Sequence, residues 1–212
     1  MILSIGRRLG GGVRATVILI AAVGAAGGFG CAAKRVERIE PSKVVDLSGR
    51  WNDTDSRMVA ETMVKEALER PWVENFSKRH AGKEPTVIVG TVANKSAEHI
   101  PIETFTKDLE RELTNSGRVV FVASKGERDE VREERLDQQR QSSPDTAKGL
   151  GKETGADYML KGTINSIQDE ESGTKVVFYQ VTLEMIDLES NAKVWFGDKK
   201  IKKIIERSRL GF

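Results

Sequence analysis

Apolar side chains recur at helical spacing in two parts of this chain and predict two long helices. The first begins at a cap formed by Asn52 or Asp53 and ends before Pro71, and a short helix around residues 72–78 follows it. The second begins at Pro101. Each helix has one apolar stripe and is expected to cover one face of a core. The stripes are Val59, Met63, Val64, Ala67 and Leu68 in the first helix, and Ile102, Phe105, Leu109 and Leu113 in the second.

Short apolar runs and alternating patterns predict five strands. Residues 84–91 are rich in valine and isoleucine behind a proline, which indicates a central strand buried on both faces. Residues 118–123 are the next strand, and a strand, helix, strand succession of this length favours a right-handed parallel crossover. Three further strands, at residues 157–168, 175–188 and 192–203, are separated by short turns and therefore form an antiparallel meander.

The middle strand of this meander indicates how the sheet is covered. Its residues alternate between an apolar set and a mixed set, so one face belongs to the core and the other is half exposed. Helices are therefore expected mainly on one side. The sequence predicts an α/β domain with a mixed sheet of about five strands and helices mainly on one face.

Two helical segments between the second and third strands differ in their apolar content. Residues 127–141 favour a helix but offer only Val131 and Leu136 to a core, so this helix is either solvated or covered by a partner. A further helix is expected after Ser143 and Pro144, with Ala147 and Leu150 packed inward. Its glycines do not have the spacing of a dinucleotide-binding loop.

The beginning of the chain has the order of a secretory signal, which predicts export. Arginines precede the apolar run at residues 15–26, and small residues follow it. Because this run is shorter than the ~20 apolar residues that span a bilayer, a membrane helix is the weaker interpretation. Gly30 and Cys31 resemble the site at which bacterial lipoproteins are cut and acylated, while ordinary cleavage near Gly28 or Gly30 is the alternative. We expect a lipid on Cys31, with Ala32 after it indicating the outer membrane.

Composition limits the remaining part of the chain to one domain behind a tether. We expect a signal peptide at residues 1–30, a lipidated flexible tether at residues 31–45 and a single domain at residues 46–212. Loss of the signal leaves 31 basic and 32 acidic residues, which removes the support for nucleic-acid binding. Cys31 is the only cysteine, so an internal disulfide is not possible.

Catalytic chemistry finds little support in the sequence. The two histidines, His80 and His99, have no second donor at metal-ligand spacing, and neither a nucleophile elbow nor a phosphate loop is present. The pair Asp53 and Asp55 is better explained by helix capping than by a calcium loop. The carboxylates at 169–171 are placed in an exposed hairpin turn. We therefore expect no enzyme activity, no cofactor, no metal and no small-molecule substrate.

Six segments of the sequence carry a family resemblance: DLSGRWNDTDSR (46–57), VIVGTVANKSAEHI (87–100), FTKDLEREL (105–113), RDEVREERLDQQ (128–139), GKETGADYMLKGTINSI (151–167) and VVFYQVTLEMIDLESNAKVWFGDKKIKK (176–203). They resemble the LpoB family of penicillin-binding-protein activators. The resemblance implies a lipoprotein of the outer membrane, facing the periplasm, that stimulates a class A penicillin-binding protein and has a fold similar to the amino-terminal domain of TolB. The expected mechanism is allosteric. The alternative is a TolB-like or CsgG-like scaffold lipoprotein for envelope assembly or secretion, because fold alone does not determine function.

A partner-binding patch is expected where parallel strands end. Crevices in open α/β sheets lie beyond the carboxyl ends of such strands, which places the loop 93–100 and the start of the charged helix on one rim. The alternative is the lysine-rich stretch at residues 199–203, although lysines on an edge strand often only prevent aggregation. The expected patch consists of Asn94, Lys95, Glu98 and Arg128.

Overall fold

The computed structural model describes residues 35–148 and 153–206. Contacts divide the chain after Ile39, and the unit that begins at Glu40 holds every described helix and strand. In the described part, no helix is long and apolar enough to span a bilayer. In chain order the elements are α1 (Asp53–Leu68), α2 (Pro71–Arg79), β1 (Thr86–Asn94), α3 (Ile102–Asn115), β2 (Val120–Phe121), α4 (Lys125–Gln141), β3 (Tyr158–Glu171), β4 (Thr174–Asp187) and β5 (Lys193–Glu206).

The strands form one mixed sheet in the order β2-β1-β3-β4-β5. β1 pairs in parallel with β2 and with β3, whereas β3, β4 and β5 form an antiparallel meander. The predicted mixed sheet and meander are therefore confirmed. β1 is an internal strand as predicted, but β3 occupies the centre of the sheet.

A capping box begins α1, and its cap is Asn52, one of the two residues that the sequence predicts. The backbone N–H of Asp55 donates to Asn52 Oδ1 over 3.1 Å, and the backbone N–H of Asn52 donates to Asp55 Oδ2 over 3.0 Å. α1 ends before Pro71, the first residue of α2. The acidic pair at residues 53 and 55 therefore belongs to the first turn of a helix.

The core lies between one face of the sheet and the first three helices. Alternate residues of β4, from Val177 to Met185, are at most 1% exposed and face α1. α3 packs beside α1 and covers β1 and β2. α2 packs at the end of the sheet, where the rings of Trp72 and Phe76 contact Tyr158 with centroid distances of 4.8 and 5.7 Å.

The β3–β4 hairpin is longer than the sequence predicts. The two strands pair without interruption from Tyr158 and Asp187 to Glu171 and Thr174. Ser172 and Gly173 have φ angles of 50° and 88°, the left-handed conformation that tight hairpin turns require. The carboxylates at residues 169–171 therefore lie in β3 and not in the turn.

Two other predicted elements differ from the structure. β2 has only two residues because Ser124 already caps α4. The helix predicted after Ser143 is not formed in the described residues, where the N–H groups of Thr146 and Ala147 both donate to the Ser143 carbonyl and the chain makes a turn. So short a segment cannot offset the cost of helix nucleation. Leu150 lies outside the described residues.

Candidate partner-binding surface

The face of the meander opposite the core carries the most exposed apolar side chains of the sheet. Ile167, Phe196 and Ile204 are 68%, 61% and 64% exposed, respectively. The register places Phe178 beside Ile167 and Val176 beside Ile204, so an apolar patch forms at the hairpin end. We call this side of β3, β4 and β5 the open face. Covering apolar side chains removes them from water, which is favourable. An exposed apolar sheet face of this kind is therefore typical of a protein-binding surface.

Polar residues separate the two apolar ends of the open face. In the register, Asn165 lies beside Gln180, and Gln180 lies beside Lys200. The next row contains Thr182 and Asp198. Phe196 follows beside Glu184, toward the other end of the strands. The open face therefore offers apolar anchors on both sides of a polar centre.

Residues 46–52, directly before α1, form an N-terminal strap. Hydrogen bonds from Lys203 hold this strap against the core side of β5. The Lys203 Nζ atom donates to Asp46 Oδ1 over 2.7 Å, to Asp55 Oδ2 over 2.6 Å and to the Arg50 carbonyl over 3.2 Å. The side chains of Lys203 and Asp55 are only 11% and 5% exposed. These contacts fix the beginning of the domain to the end of its last strand.

The charged residues at the strap shift one another's pKa values. Burial acts to lower the pKa of Lys203, but the hydrogen bonds to Asp46 and Asp55 outweigh it and raise this pKa. The hydrogen bond from Lys203 holds the pKa of Asp46 below its ordinary value. Gly49 has a φ of 68° and lies against the side chain of Ile205, where a Cβ atom has no room. The strap is thus part of the fold and not part of a free tether.

Glu98, a predicted patch residue, holds three distant parts of the chain together. Its Oε2 atom accepts hydrogen bonds from Tyr179 Oη over 2.8 Å and from the backbone N–H of Trp51 over 3.2 Å. Its Oε1 atom accepts one from Gln168 Nε2 over 3.3 Å. Burial, followed by the adjacent Glu98 carboxylate, raises the pKa of Tyr179. The structure therefore gives Glu98 a supporting role beneath the surface loop.

Asn94 and Lys95 differ although they are neighbours. Asn94 Nδ2 donates to the Glu98 carbonyl over 2.7 Å, and its Oδ1 accepts from the backbone N–H of Ser96 over 2.9 Å, so it shapes the loop. Lys95 is exposed and lines a depression on the open face. Among the predicted patch residues of this loop, Lys95 is the exposed one.

Arg128 lies apart from the other three predicted residues. β2 pairs with Thr86 and Val87 at the beginning of β1, whereas Asn94 is the last residue of β1. Asn94 is seven residues beyond Val87 along β1, which corresponds to about 23 Å at ~3.3 Å per residue. Arg128 Nη1 donates to the Ala123 carbonyl over 3.0 Å, beside β2. The expectation of a single rim is therefore wrong, because β2 pairs with the other end of β1.

Two other predictions concern Cys31 and the lysine-rich end of β5. Cys31 lies outside the described residues. Lysines 200 and 202 lie on the open face, but Lys203 faces the core side and binds the strap. The segment 199–203 is thus not one basic patch, because alternate residues of a strand point to opposite faces.

The structure defines an α/β domain with one covered and one open sheet face, and sequence comparison identifies its family. The model of the peptidoglycan-synthase activator LpoB family matches residues 55–201, which is more than half of the chain. The chain therefore belongs to the LpoB family, whose members are activators and not enzymes. No curated protein matches the sequence.

The solved structures that match this chain include two LpoB domains. The LpoB C-terminal domain from Escherichia coli is 15% identical, with 69% of this chain and 98% of that chain covered and a TM-score of 0.43. The LpoB C-terminal domain from Salmonella enterica is 16% identical, with 72% and 99% covered and a TM-score of 0.39. Lipoprotein GNA1162 from Neisseria meningitidis is 14% identical, with 59% and 88% covered and a TM-score of 0.36.

Proposed function

We propose that this protein binds a class A penicillin-binding protein through its open face and activates it allosterically. Membership of the LpoB family is the observation that carries this proposal. The domain favours the active conformation of the synthase by binding a surface away from its catalytic centres. Such coupling typically amounts to ~1–3 kcal/mol, which corresponds to roughly 5- to 150-fold.

The exposed apolar residues support the open face as the docking surface. Interfaces are anchored by a few well-packed apolar or aromatic side chains that lose their water on binding. Ile167, Phe196 and Ile204 are exposed on a rigid sheet, so little conformational entropy is lost when a partner covers them. The polar row between them supplies hydrogen-bonding groups for alignment.

A triple variant tests this surface. Ile167→Thr, Phe196→Thr and Ile204→Thr together remove the apolar anchors and keep residues that suit a strand. We expect the affinity for the purified class A synthase of the same organism to fall at least roughly tenfold. The control carries Val131→Gln and Leu136→Gln on α4, two residues that are 45% and 44% exposed.

The outcome separates docking on the open face from docking elsewhere. Unchanged affinity in the triple variant, together with loss of affinity in the α4 control, would place the docking surface on α4. No binding of the wild-type domain to any class A synthase of its organism would contradict the activator role and favour the scaffold alternative.

The four residues of the expected patch remain part of the proposal, but they belong to two separate places. Lys95 borders the open face, so it belongs to the proposed docking surface. Arg128 belongs to a separate place beside β2, together with Val131 of α4. Asn94 and Glu98 contribute by holding the loop that carries Lys95.

We further propose that the domain is anchored by a lipid on Cys31 to the periplasmic face of the outer membrane. A signal segment before this cysteine supports the proposal. Acylation with two or more chains is what stable anchoring requires. Mass spectrometry of the membrane form is expected to find Cys31 as an acylated amino terminus. An unmodified terminus at another residue would contradict the lipid anchor.

A further inference from the structure

A depression of about 440 Å³ lies on the open face where β1 and β3 meet. It lies beside a shift in the β1–β3 register between Val89 and Val92, where β1 carries one residue more than its partner. Gly90 lies in this irregularity, and a Cβ atom there would approach Met159 Sδ to 2.7 Å. Bulges of this kind redirect side chains and often occur beside functional sites.

Two lysines line this depression without an anionic partner. In the described part of the chain, neither Lys95 nor Lys161 has a carboxylate within the 4.0 Å of an ion pair. Glu184 lies opposite Lys161 in the register, but its carboxylate pairs with Lys193. The depression therefore keeps two uncompensated positive charges.

Hydroxyl groups complete the lining of the depression. Thr91, Thr163 and Thr182 are on its wall, between the two lysines and Glu184. Ammonium and hydroxyl groups donate hydrogen bonds to carboxylate oxygens, and bonds to a charged acceptor are about twice as strong as neutral ones.

We propose that this depression receives an acidic side chain, Asp or Glu, of the protein that docks on the open face. This inference rests on the proposed function and specifies the chemistry of the docking element. The depression is continuous with the apolar part of the open face, because Glu184 on its wall lies beside Phe196. The partner's carboxylate supplies the negative charge that Lys95 and Lys161 lack.

The strand geometry also sets a spacing for the partner. Ile167 is six residues beyond Lys161 along β3, which corresponds to about 20 Å at ~3.3 Å per residue. The docking element therefore presents its acidic side chain about 20 Å from the apolar side chain that covers Ile167 and Phe178. A charge at one end and an apolar contact at the other determine its orientation on the sheet.

Charge reversal at the two lysines tests this arrangement. We expect Lys95→Glu with Lys161→Glu to reduce the affinity for the purified class A synthase at least roughly tenfold, mainly through removal of attraction between opposite charges. Lys95→Arg with Lys161→Arg keeps both charges and is expected to keep most of the affinity. Lys78→Glu with Lys83→Glu, two exposed changes outside the open face, is the control for net charge. The wild-type affinity should also fall more steeply with salt than that of the reversed variant.

Carbodiimide crosslinking of the wild-type complex locates the contact directly, since this reagent joins amines to carboxylates without a spacer. Mass spectrometry is expected to find Lys95 or Lys161 linked to an Asp or Glu of the synthase. A complex that forms normally but gives no such link, or whose affinity survives the charge reversal, overturns this inference and leaves the activator role intact. Absence of any complex with the wild-type domain overturns both.

Discussion

At the scale of single residues, the most consequential ion pair joins Lys203 to Asp55. Both side chains are nearly buried, and Asp55 belongs at the same time to the capping box of α1. A buried charge that loses its partner is strongly destabilising, because water no longer solvates it. Lys203 therefore couples the strap, the first helix and the last strand.

The substitution Lys203→Met tests this coupling. It leaves the Asp55 carboxylate without its main cation, so we expect the free energy of unfolding to fall by about 3 kcal/mol. Lys202→Met, an exposed neighbour on the opposite face, is expected to change it by no more than about 0.5 kcal/mol. Urea denaturation measures both. Equal stability of the two variants would show that the strap contributes little to the fold.

Glu98 provides a second test at this scale, because the sequence indicates a surface residue and the structure shows a supporting one. Glu98→Ala leaves the Tyr179 hydroxyl and the Trp51 N–H without their acceptor, and we expect a loss of about 1–3 kcal/mol in the free energy of unfolding. Lys95→Ala in the same loop is the control and should be nearly neutral. If Glu98→Ala does not change thermal unfolding, Glu98 is a surface residue of the expected partner-binding patch, as the sequence indicates.

The partners of Glu98 explain why sequence reasoning missed its role. They lie 47, 70 and 81 residues away, so local spacing carries no signal of them. Lys203 was missed for the same reason, since Asp55 is 148 residues away. The alternation of β4 predicts one core face and one half-exposed face. The most exposed apolar residues of the open face lie on β3 and β5, and the face that the helices cover is determined only by tertiary packing.

At the scale of elements, α4 shows how a helix without any buried residue is held. Its Ser124 cap and Glu127 form a capping box, and Lys107 of α3 donates to Glu127 Oε1 over 2.6 Å. The hydrogen bond from Lys107, followed by those from Ser124, lowers the pKa of Glu127 to about 2. Polar contacts thus replace apolar packing at this end of the helix.

The low pKa of Glu127 gives α4 a definite response to acid. Because the folded pKa lies below the ordinary value of 4.5, the unfolded chain binds the proton more readily. The stabilising contribution is present above pH 4.5 and is lost as the pH falls toward 2. We expect amide hydrogen exchange in the first turn of α4 to lose protection over this range. Glu127→Gln should remove this pH dependence. Unchanged protection in the first turn of α4 of the wild type would contradict the low pKa of Glu127.

The sequence predicts the elements with long periodic patterns correctly. It does not predict the elements whose bounds depend on a neighbouring cap, on segment length or on pairing with another strand. α1, α3 and the three strands of the meander follow from helical spacing, capping residues and alternation. β2 is short because Ser124 caps α4 immediately after it, and the segment after Ser143 is too short to nucleate a helix. The bulge in β1 depends on how β1 pairs with β3, which no pattern within β1 reveals.

At the scale of the whole molecule, the strap connects the beginning of the domain to its last strand. A fragment that starts at Ser42 contains Asp46 and the strap, so we expect it to unfold in one cooperative transition. A fragment that starts at Asp53 lacks the strap and the Asn52 cap, and should unfold at a lower temperature. Differential scanning calorimetry compares the two. Equal transition temperatures would show that the strap is dispensable.

The rate of glycan polymerisation from lipid-linked precursor tests the central claim most directly. The purified class A synthase of the same organism is assayed alone, with the fragment from Ser42, and with the same fragment carrying the three open-face threonine substitutions. Activation predicts a rate increase of at least several-fold with the wild-type fragment, consistent with a coupling of ~1–3 kcal/mol, and little increase with the variant. A folded fragment that leaves the rate of every class A synthase of its organism unchanged would contradict the account.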